Sequence, residues 1–420
     1  MSSRLRASAE RNQHVASKDT VRRPCEAWKL TPVAARRFRS TISEAKIVRR
    51  MRISRSWAPI PSLRRGSRAT NMRFLAPGAE DTIVPGPPRT FSVIIAAYEV
   101  ADVIAEALES LRRQTVPPIE VIVCDDGSTD DLDTALAPYR DEIVFLRKEN
   151  GGEASAKNAA AGVATGDFVL ILDADDVYLP ERVGALTELA RTRPDLDILT
   201  TDGVLVAGGR PVRRVYDRSW RFEVDDQRRA ILQRNFIFGL AAVRRELLLA
   251  HGGFDESILW TTDWDLWLRL ILAGARAGCV AEPLALYRLR ETSLTSRRRE
   301  LLFGKLATLE KARSNPALRR TEWRTLEASL AAYRRELSQA DLRSSAAGGD
   351  PGVRRRALDL LRARGYSRRA RLEAAGIAAA PVVAGRMLRR RAANSWVGAA
   401  GIRVRRSRDE VPIPRASGGR

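Results

Sequence analysis

Three acidic or polar clusters each follow a short apolar run. Ala96-Ala97-Tyr98 comes after residues 91–95, Asp125-Asp126-Gly127-Ser128 after 119–123, and Asp173-Ala174-Asp175-Asp176 after 168–172. Carboxylates two residues apart on a turn, as at Asp173 and Asp175, can both approach one hard cation. Mg²⁺ or Mn²⁺ would accept such oxygens and leave positions open for a diphosphate. A carboxylate in the Asp125-Asp126 pair suits the ring N–H of a base or the hydroxyls of ribose. Each cluster alone also fits a solvated turn or a helix N-cap. Together, without basic side chains between them, the carboxylates would repel one another. A divalent cation relieves that repulsion, and a phosphate-bearing ligand gives it a purpose.

The elements that must position these clusters follow from apolar periodicity. Segments of helical spacing separate the three runs, so the chain reads strand–helix–strand–helix–strand and the strands form a parallel sheet. Ligands of such sheets bind outside the carboxyl ends of the strands, where all three clusters fall. The spacing predicts a helix over 101–114, a further strand at 143–146, a turn at Asn150-Gly151-Gly152 and a small-residue helix over 153–164. Pro180 opens the next helix, and short strands at 198–201 and 204–206 flank Gly203. Beyond residue 300 the pattern is helical, with a Ser/Ala/Gly linker at 344–352 and one or two amphipathic helices over 353–393.

Charge is unevenly divided along the 420 residues, whose formal net charge is +22. Residues 1–90 carry a net +14, residues 91–300 a net −9 and residues 301–420 a net +17. A duplex-binding core would carry its own basic patch, so no nucleic acid is expected as a partner. The basic flanks suit an anionic membrane surface. Cys25, Cys124 and Cys279 match neither a zinc site nor a disulfide framework. No stretch has the apolar length of a membrane span, and the N-terminus lacks the apolar core of a secretory signal. A cytoplasmic protein, peripheral on the inner face of the membrane, is the expectation. The expected divisions are a basic, disordered segment at 1–89 with Met72 an alternative start, a catalytic domain at 90–300, a helical extension at 301–343, Ala/Arg-rich helices at 353–402 and a tail at 403–420.

In order and spacing, four motifs resemble those of family 2 glycosyltransferases with the GT-A fold, a Rossmann-like, mostly parallel sheet flanked by helices. They are Ser92-Val93-Ile94-Ile95-Ala96-Ala97-Tyr98, Val123-Cys124-Asp125-Asp126-Gly127-Ser128-Thr129-Asp130, Asn150-Gly151-Gly152 with Ala156-Lys157-Asn158, and Leu172-Asp173-Ala174-Asp175-Asp176. The resemblance covers about residues 90–295. It implies that Ala96 and Tyr98 lie against the donor nucleotide, that Asp126 binds the base, and that Lys157 stands near the diphosphate where the family usually has Arg. Asp173 and Asp175 would serve ribose and metal, with Asp176 nearby. Gly252-Gly253-Phe254-Asp255-Glu256-Ser257 and Thr262-Asp263-Trp264-Asp265 resemble the acceptor-side signature. Asp263 takes the place of the base that deprotonates the acceptor hydroxyl, with Asp265 its rival and a helix N-cap its plainer reading. Arg290 stands where a closing His is common and could meet the diphosphate. Trp264 is the member of the Trp260, Trp264 and Trp267 group that would stack on a sugar.

The implied reaction is a metal-dependent, inverting transfer of a sugar from a nucleotide diphosphate sugar to a hydroxyl of a glycan, lipid-linked or cell-envelope acceptor. A nucleotidyltransferase of similar fold and a catalytically inactive GT-A-like scaffold at the membrane are the rival readings. The first strand lacks the Gly-rich basic loop that the nucleotidyltransferase would need.

Overall fold

The computed structural model describes residues 46–49, 72–78, 85–289 and 298–394. Its centre is one sheet. From edge to edge run Lys46–Arg49, Val144–Arg147, Glu120–Asp125, Phe91–Ala97, Phe168–Ile171, Ala242–Arg244, Ile198–Ala207, Ala277–Leu289 and Phe74–Leu75, with Arg210–Arg214 and Val177–Tyr178 paired at the side. The four strands from Val144–Arg147 to Phe168–Ile171 are parallel neighbours. Ala242–Arg244 is antiparallel to both strands it separates. This is the mixed α/β, mostly parallel architecture that the clusters imply.

Strand residues alternate strictly between two cores, because successive side chains leave a strand on opposite faces. Ile94, Ile122, Val169 and Ile171 face one core, while Val93, Ile95, Val121, Val123, Phe168 and Leu170 face the other. Helices cover both faces, which explains why the strands read as continuous apolar runs. Glu153–Val163 and Thr262–Ala273 pack on the first core; Ile104–Arg112 and Arg182–Thr192 pack on the second.

Several boundaries differ from the sequence expectation. The 101–114 helix is shorter, Ile104–Arg112. The two strands expected around Gly203 are one, Ile198–Ala207. Gly203 is not a turn: a Cβ there would lie 2.9 Å from the Phe238 ring and 3.0 Å from the Ala285 carbonyl, so glycine lets the neighbouring strand approach. Two pieces of the segment expected to be disordered join the sheet, Lys46–Arg49 on Val144–Arg147 and Phe74–Leu75 on Ala277–Leu289. The expected linker is largely helical, since Trp323–Gly348 runs through its first five residues. Small residues there favour a helix once Leu342 and Ala346 can pack against a neighbour. That neighbour is a set of three helices, Val353–Arg362, Arg368–Ala379 and Pro381–Asn394, which build a small separate core with Leu342 and Ala346.

Candidate active site

Register brings the clusters to one edge. Ala97 pairs with Asp125, Asp125 with Arg147, and Ile94 with Ile171, so the peptides that follow all emerge together. Basic side chains wait there, contrary to the repulsion argued from sequence. Asp125 accepts from Arg147 at 2.6 Å and from the Ser128 N–H at 2.8 Å. Asp126, 2% exposed, accepts from Lys148 Nζ at 2.9 Å, Gly151 N–H at 3.0 Å and Gly152 N–H at 2.7 Å. Its carboxylate therefore pins the glycine loop, and it does not line the cavity below. Tyr98 is 51% exposed. Its loop is fixed by the next residue, Glu99, whose carboxylate accepts from the Thr129 N–H at 2.7 Å and hydroxyl at 2.9 Å. Ala96 is half-buried in the adjoining strand.

A cavity of about 460 Å³ opens beside this edge. Lys157, Asp173 and Asp263, from three separate motifs, line it together. Lys157 is 4% exposed and held by Glu153 and by Asp173, the latter at 3.1 Å. Burial acts against its charge, but the two carboxylates raise its pKa above the usual lysine value and keep it an ammonium. Asp176 is fully buried. One oxygen accepts from the Arg288 N–H at 2.8 Å, the other has no hydrogen-bond partner among the described residues, and burial with Asp173 and Asp175 nearby pushes its pKa well up.

Asp263 sits in the first turn of Thr262–Ala273, two residues past the N-cap, which is Thr261. One oxygen accepts from the Trp264 N–H at 2.7 Å and the other from Asn235 Nδ2 at 2.9 Å. Burial raises its pKa to about 6; Lys157 opposes the rise, and Glu153 and Asp173 add to it. A general base works best with a pKa near the operating pH, and this carboxyl is placed there by its surroundings. The rival Asp265 is 1% exposed and consumed by Arg269 at 2.8 Å and Lys311 at 2.9 Å, so it supports the helix and cannot meet an acceptor.

One other expectation is corrected, and one lies beyond reach of the structure. Trp264 is 1% exposed, donates from Nε1 to the Ile231 carbonyl at 2.8 Å and meets the Tyr333 ring edge-on at 5.9 Å. It is core, because the helix turns it inward beside Trp267. The aromatics that border the cavity while half-buried are Trp220, Trp260, Tyr287 and Tyr333. Arg290 lies outside the described residues.

Sequence reasoning missed Glu153, Asn235, Lys148 and Lys305. Glu153 had a signal, its position four residues before Lys157 on one helix. Asn235 had none, since it sits in an irregular stretch and reaches Asp263 only through the fold.

Among the described residues no group of three or more His, Cys, Asp or Glu is arranged to enclose a metal ion. What exists is an open set: Asp173 and Asp175 on one turn, and the orphaned Asp176 oxygen close behind. Such a set fits a Mg²⁺-like cation, which takes one or two carboxylates and completes its shell with water and phosphate oxygens.

The family model for glycosyl transferase family 2 matches residues 92–252. An uncharacterized glycosyltransferase of Rickettsia prowazekii is 32% identical over 183 residues, covering 42% of this chain and 57% of the relative. The succinoglycan biosynthesis protein ExoU of Rhizobium meliloti is 30% identical over 202 residues, covering 45% and 59%. The chain thus spans under two thirds of these relatives' lengths. Among solved structures, S. aureus TarS 1-349 in complex with UDP-GlcNAc aligns with a TM-score of 0.50 at 20% identity, covering 73% of this chain and 92% of that one. The motifs at the strand ends, the mixed α/β sheet that carries them and the match over residues 92–252 agree: that part of the chain is similar to glycosyl transferase family 2.

Proposed function

We propose that the chain transfers a sugar, with inversion, from a nucleotide diphosphate sugar to an acceptor hydroxyl, with Asp263 as the general base. The observation that carries this reading is that Asp263, its pKa raised to about 6, lines one cavity with Lys157 and Asp173. In it, Tyr98 and the loop pinned by Asp126 offer a platform for the nucleotide, and Lys157 presents fixed positive charge toward the leaving diphosphate. Asp173 and Asp175 would hold Mg²⁺ or Mn²⁺, which supplies Lewis-acid stabilisation of diphosphate charge when bound. Asp263 takes the proton from the attacking hydroxyl, while Asn235 fixes the carboxylate's direction. A single displacement needs no second nucleophilic carboxylate, so the anomeric centre inverts. The similarity to a succinoglycan biosynthesis protein of Rhizobium meliloti favours a glycan or other cell-envelope acceptor.

Release of nucleoside diphosphate from a panel of nucleotide sugars tests the reading. Turnover should fall by about 10²-fold or more on chelation, as expected when several kcal/mol of charge stabilisation is lost, and should return with Mg²⁺ or Mn²⁺. The Asp175→Asn variant should need more metal for the same rate. Turnover indifferent to chelation would remove the metal. No turnover with any donor, and no metal-dependent nucleotide binding, would leave the inactive scaffold.

A peripheral, cytoplasmic-face location belongs to the same proposal. No helix of the described residues is long and apolar enough to cross a membrane. Residues 353–394 carry twelve arginines against one Asp and one Glu, yet expose Leu372 at 75%, Val382 at 64%, Val383 at 57% and Met387 at 55%. Exposed apolar side chains among arginines suit an anionic lipid surface. Association with vesicles containing anionic lipid should weaken with salt and with deletion of residues 353–406. Insensitivity to both would exclude the membrane.

A further inference from the structure

The charged groups around the cavity divide into two sets. Glu153, Lys157, Asp173 and Asp263 serve the donor and the base. The remaining charged lining residues are Arg213, Arg234 and Lys305, all positive. Arg213 is largely used up by the Arg214 and Val215 carbonyls and by Asp217 at 3.1 Å. Arg234 has a looser partner, Glu223 at 3.6 Å, beyond hydrogen-bond range.

Lys305 is the unusual member. The described residues give its ammonium no hydrogen bond and no ion pair, only the face of the Tyr333 ring at 5.1 Å. Burial lowers its pKa, with Glu336 resisting and Arg298 assisting. An ammonium has three donors to satisfy, and a partly desolvated one gains most from a formal negative charge.

The surroundings hold it in place. Tyr333 is wedged edge-on against Trp264, and its hydroxyl donates to the Gln233 carbonyl at 2.9 Å. The residue before Lys305 is Gly304, where a Cβ would lie 2.7 Å from the Leu259 carbonyl and 3.0 Å from Trp260 Cβ. Glycine therefore lets the Arg298–Ala312 helix press onto the loop that ends at Thr261, two residues before Asp263. A cation without a partner, on a helix brought this close to the base, is arranged for a ligand.

We propose that the Lys305 end of this cavity, with Arg234, holds an anionic group of the acceptor, a phosphate or a carboxylate, while the acceptor hydroxyl faces Asp263. This rests on the transferase reading and narrows its acceptor to an anionic one. The cation would draw in a charged acceptor that the carboxylates of Asp263, Glu153 and Asp173 would otherwise repel.

Calorimetric binding to the full chain tests it with paired probes: glycerol phosphate against glycerol, and glucuronate against glucose. At least one anionic probe should bind about tenfold or more tightly than its neutral partner, as expected for a charge-assisted pair. The member that does so distinguishes phosphate from carboxylate. Lys305→Met should abolish the preference and Lys305→Arg should keep it; nucleoside diphosphate affinity, measured in the same variants, reports that each is folded. Equal binding of charged and neutral probes, or a preference that survives Lys305→Met, overturns the proposal. So does a loss of nucleotide affinity in Lys305→Met together with an unchanged melting temperature, which would assign the cation to the donor. If no nucleotide sugar is turned over yet anion binding through Lys305 persists, the anion site stands and the transferase reading falls. If transfer to an anionic acceptor is undiminished by Lys305→Met, the reverse holds.

Discussion

Asp263→Asn should lower glycosyl transfer by about 10²–10⁴-fold, the usual contribution of a positioned acid–base group. Nucleoside diphosphate affinity should change little, because the donor set lies on other elements. In the wild type, turnover should rise with pH through a limb near 6, where the Asp263 carboxyl ionises. The Asn variant should lack that limb. Asn235→Ala, which removes a donor to the ionised form, should move the limb upward. Stability gives an independent check. The folded carboxyl has a raised pKa, so the folded state favours the protonated form; stability is highest below the unfolded value of 3.8 and declines until pH passes about 6. Replacing the carboxyl with an amide removes that penalty. Asp263→Asn should therefore raise the melting temperature relative to wild type at pH 7.5 and have less effect at pH 4. A variant with near-normal turnover, or a pH limb shared by both proteins, would dismiss Asp263 as the base.

Trp264→Ala should cost about 3–5 kcal/mol of folding stability, a large share of the roughly 5–15 kcal/mol available to a typical protein. The side chain is 1% exposed, hydrogen-bonded to the Ile231 carbonyl and packed on Tyr333. Truncation leaves a cavity, an unsatisfied carbonyl and an unsupported ring beneath Lys305. Trp264→Phe should be milder, about 1–3 kcal/mol, since it fills most of the space and forfeits the N–H donor. Denaturant midpoints of the three proteins measure both. A sugar-stacking tryptophan would behave differently, losing acceptor affinity with little change in midpoint, and that result would restore the stacking role.

What was legible in the sequence was local. Apolar runs followed by Asp125-Asp126 and Asp173-Ala174-Asp175 fixed where strands end, because period-two burial and turn chemistry act within a few residues. Lys157 and Asp263 were found because each stands in a recognisable motif, and the cavity they share follows from the sheet. Illegible were the groups whose role depends on distant neighbours. Nothing near Asn235 in sequence announces a bond to residue 263, and nothing around Trp264 separates a buried face from a sugar-facing one, since both turn on which side of one helix meets the core. Asp126 was assigned a ligand when the folded chain supplies three internal donors. Gly203 read as a break because its purpose, room for Phe238 and Ala285, lies in other strands.

The helices Arg298–Ala312 and Trp323–Gly348 do not hang from the sheet domain. Leu309, Leu326 and Leu330 share one apolar core with Phe254, Trp264 and Leu268, and the family match stops at residue 252. Asp263, Trp260 and Lys305 all fall after that point. The segment that matches the family model and the residues that follow it therefore share a common interior. Residues 253–348 could not be exchanged as single loops, because Leu309, Leu326 and Leu330 would leave behind their half of the interior. A substitution that opens a cavity along this seam would be felt first as a loss of folded protein.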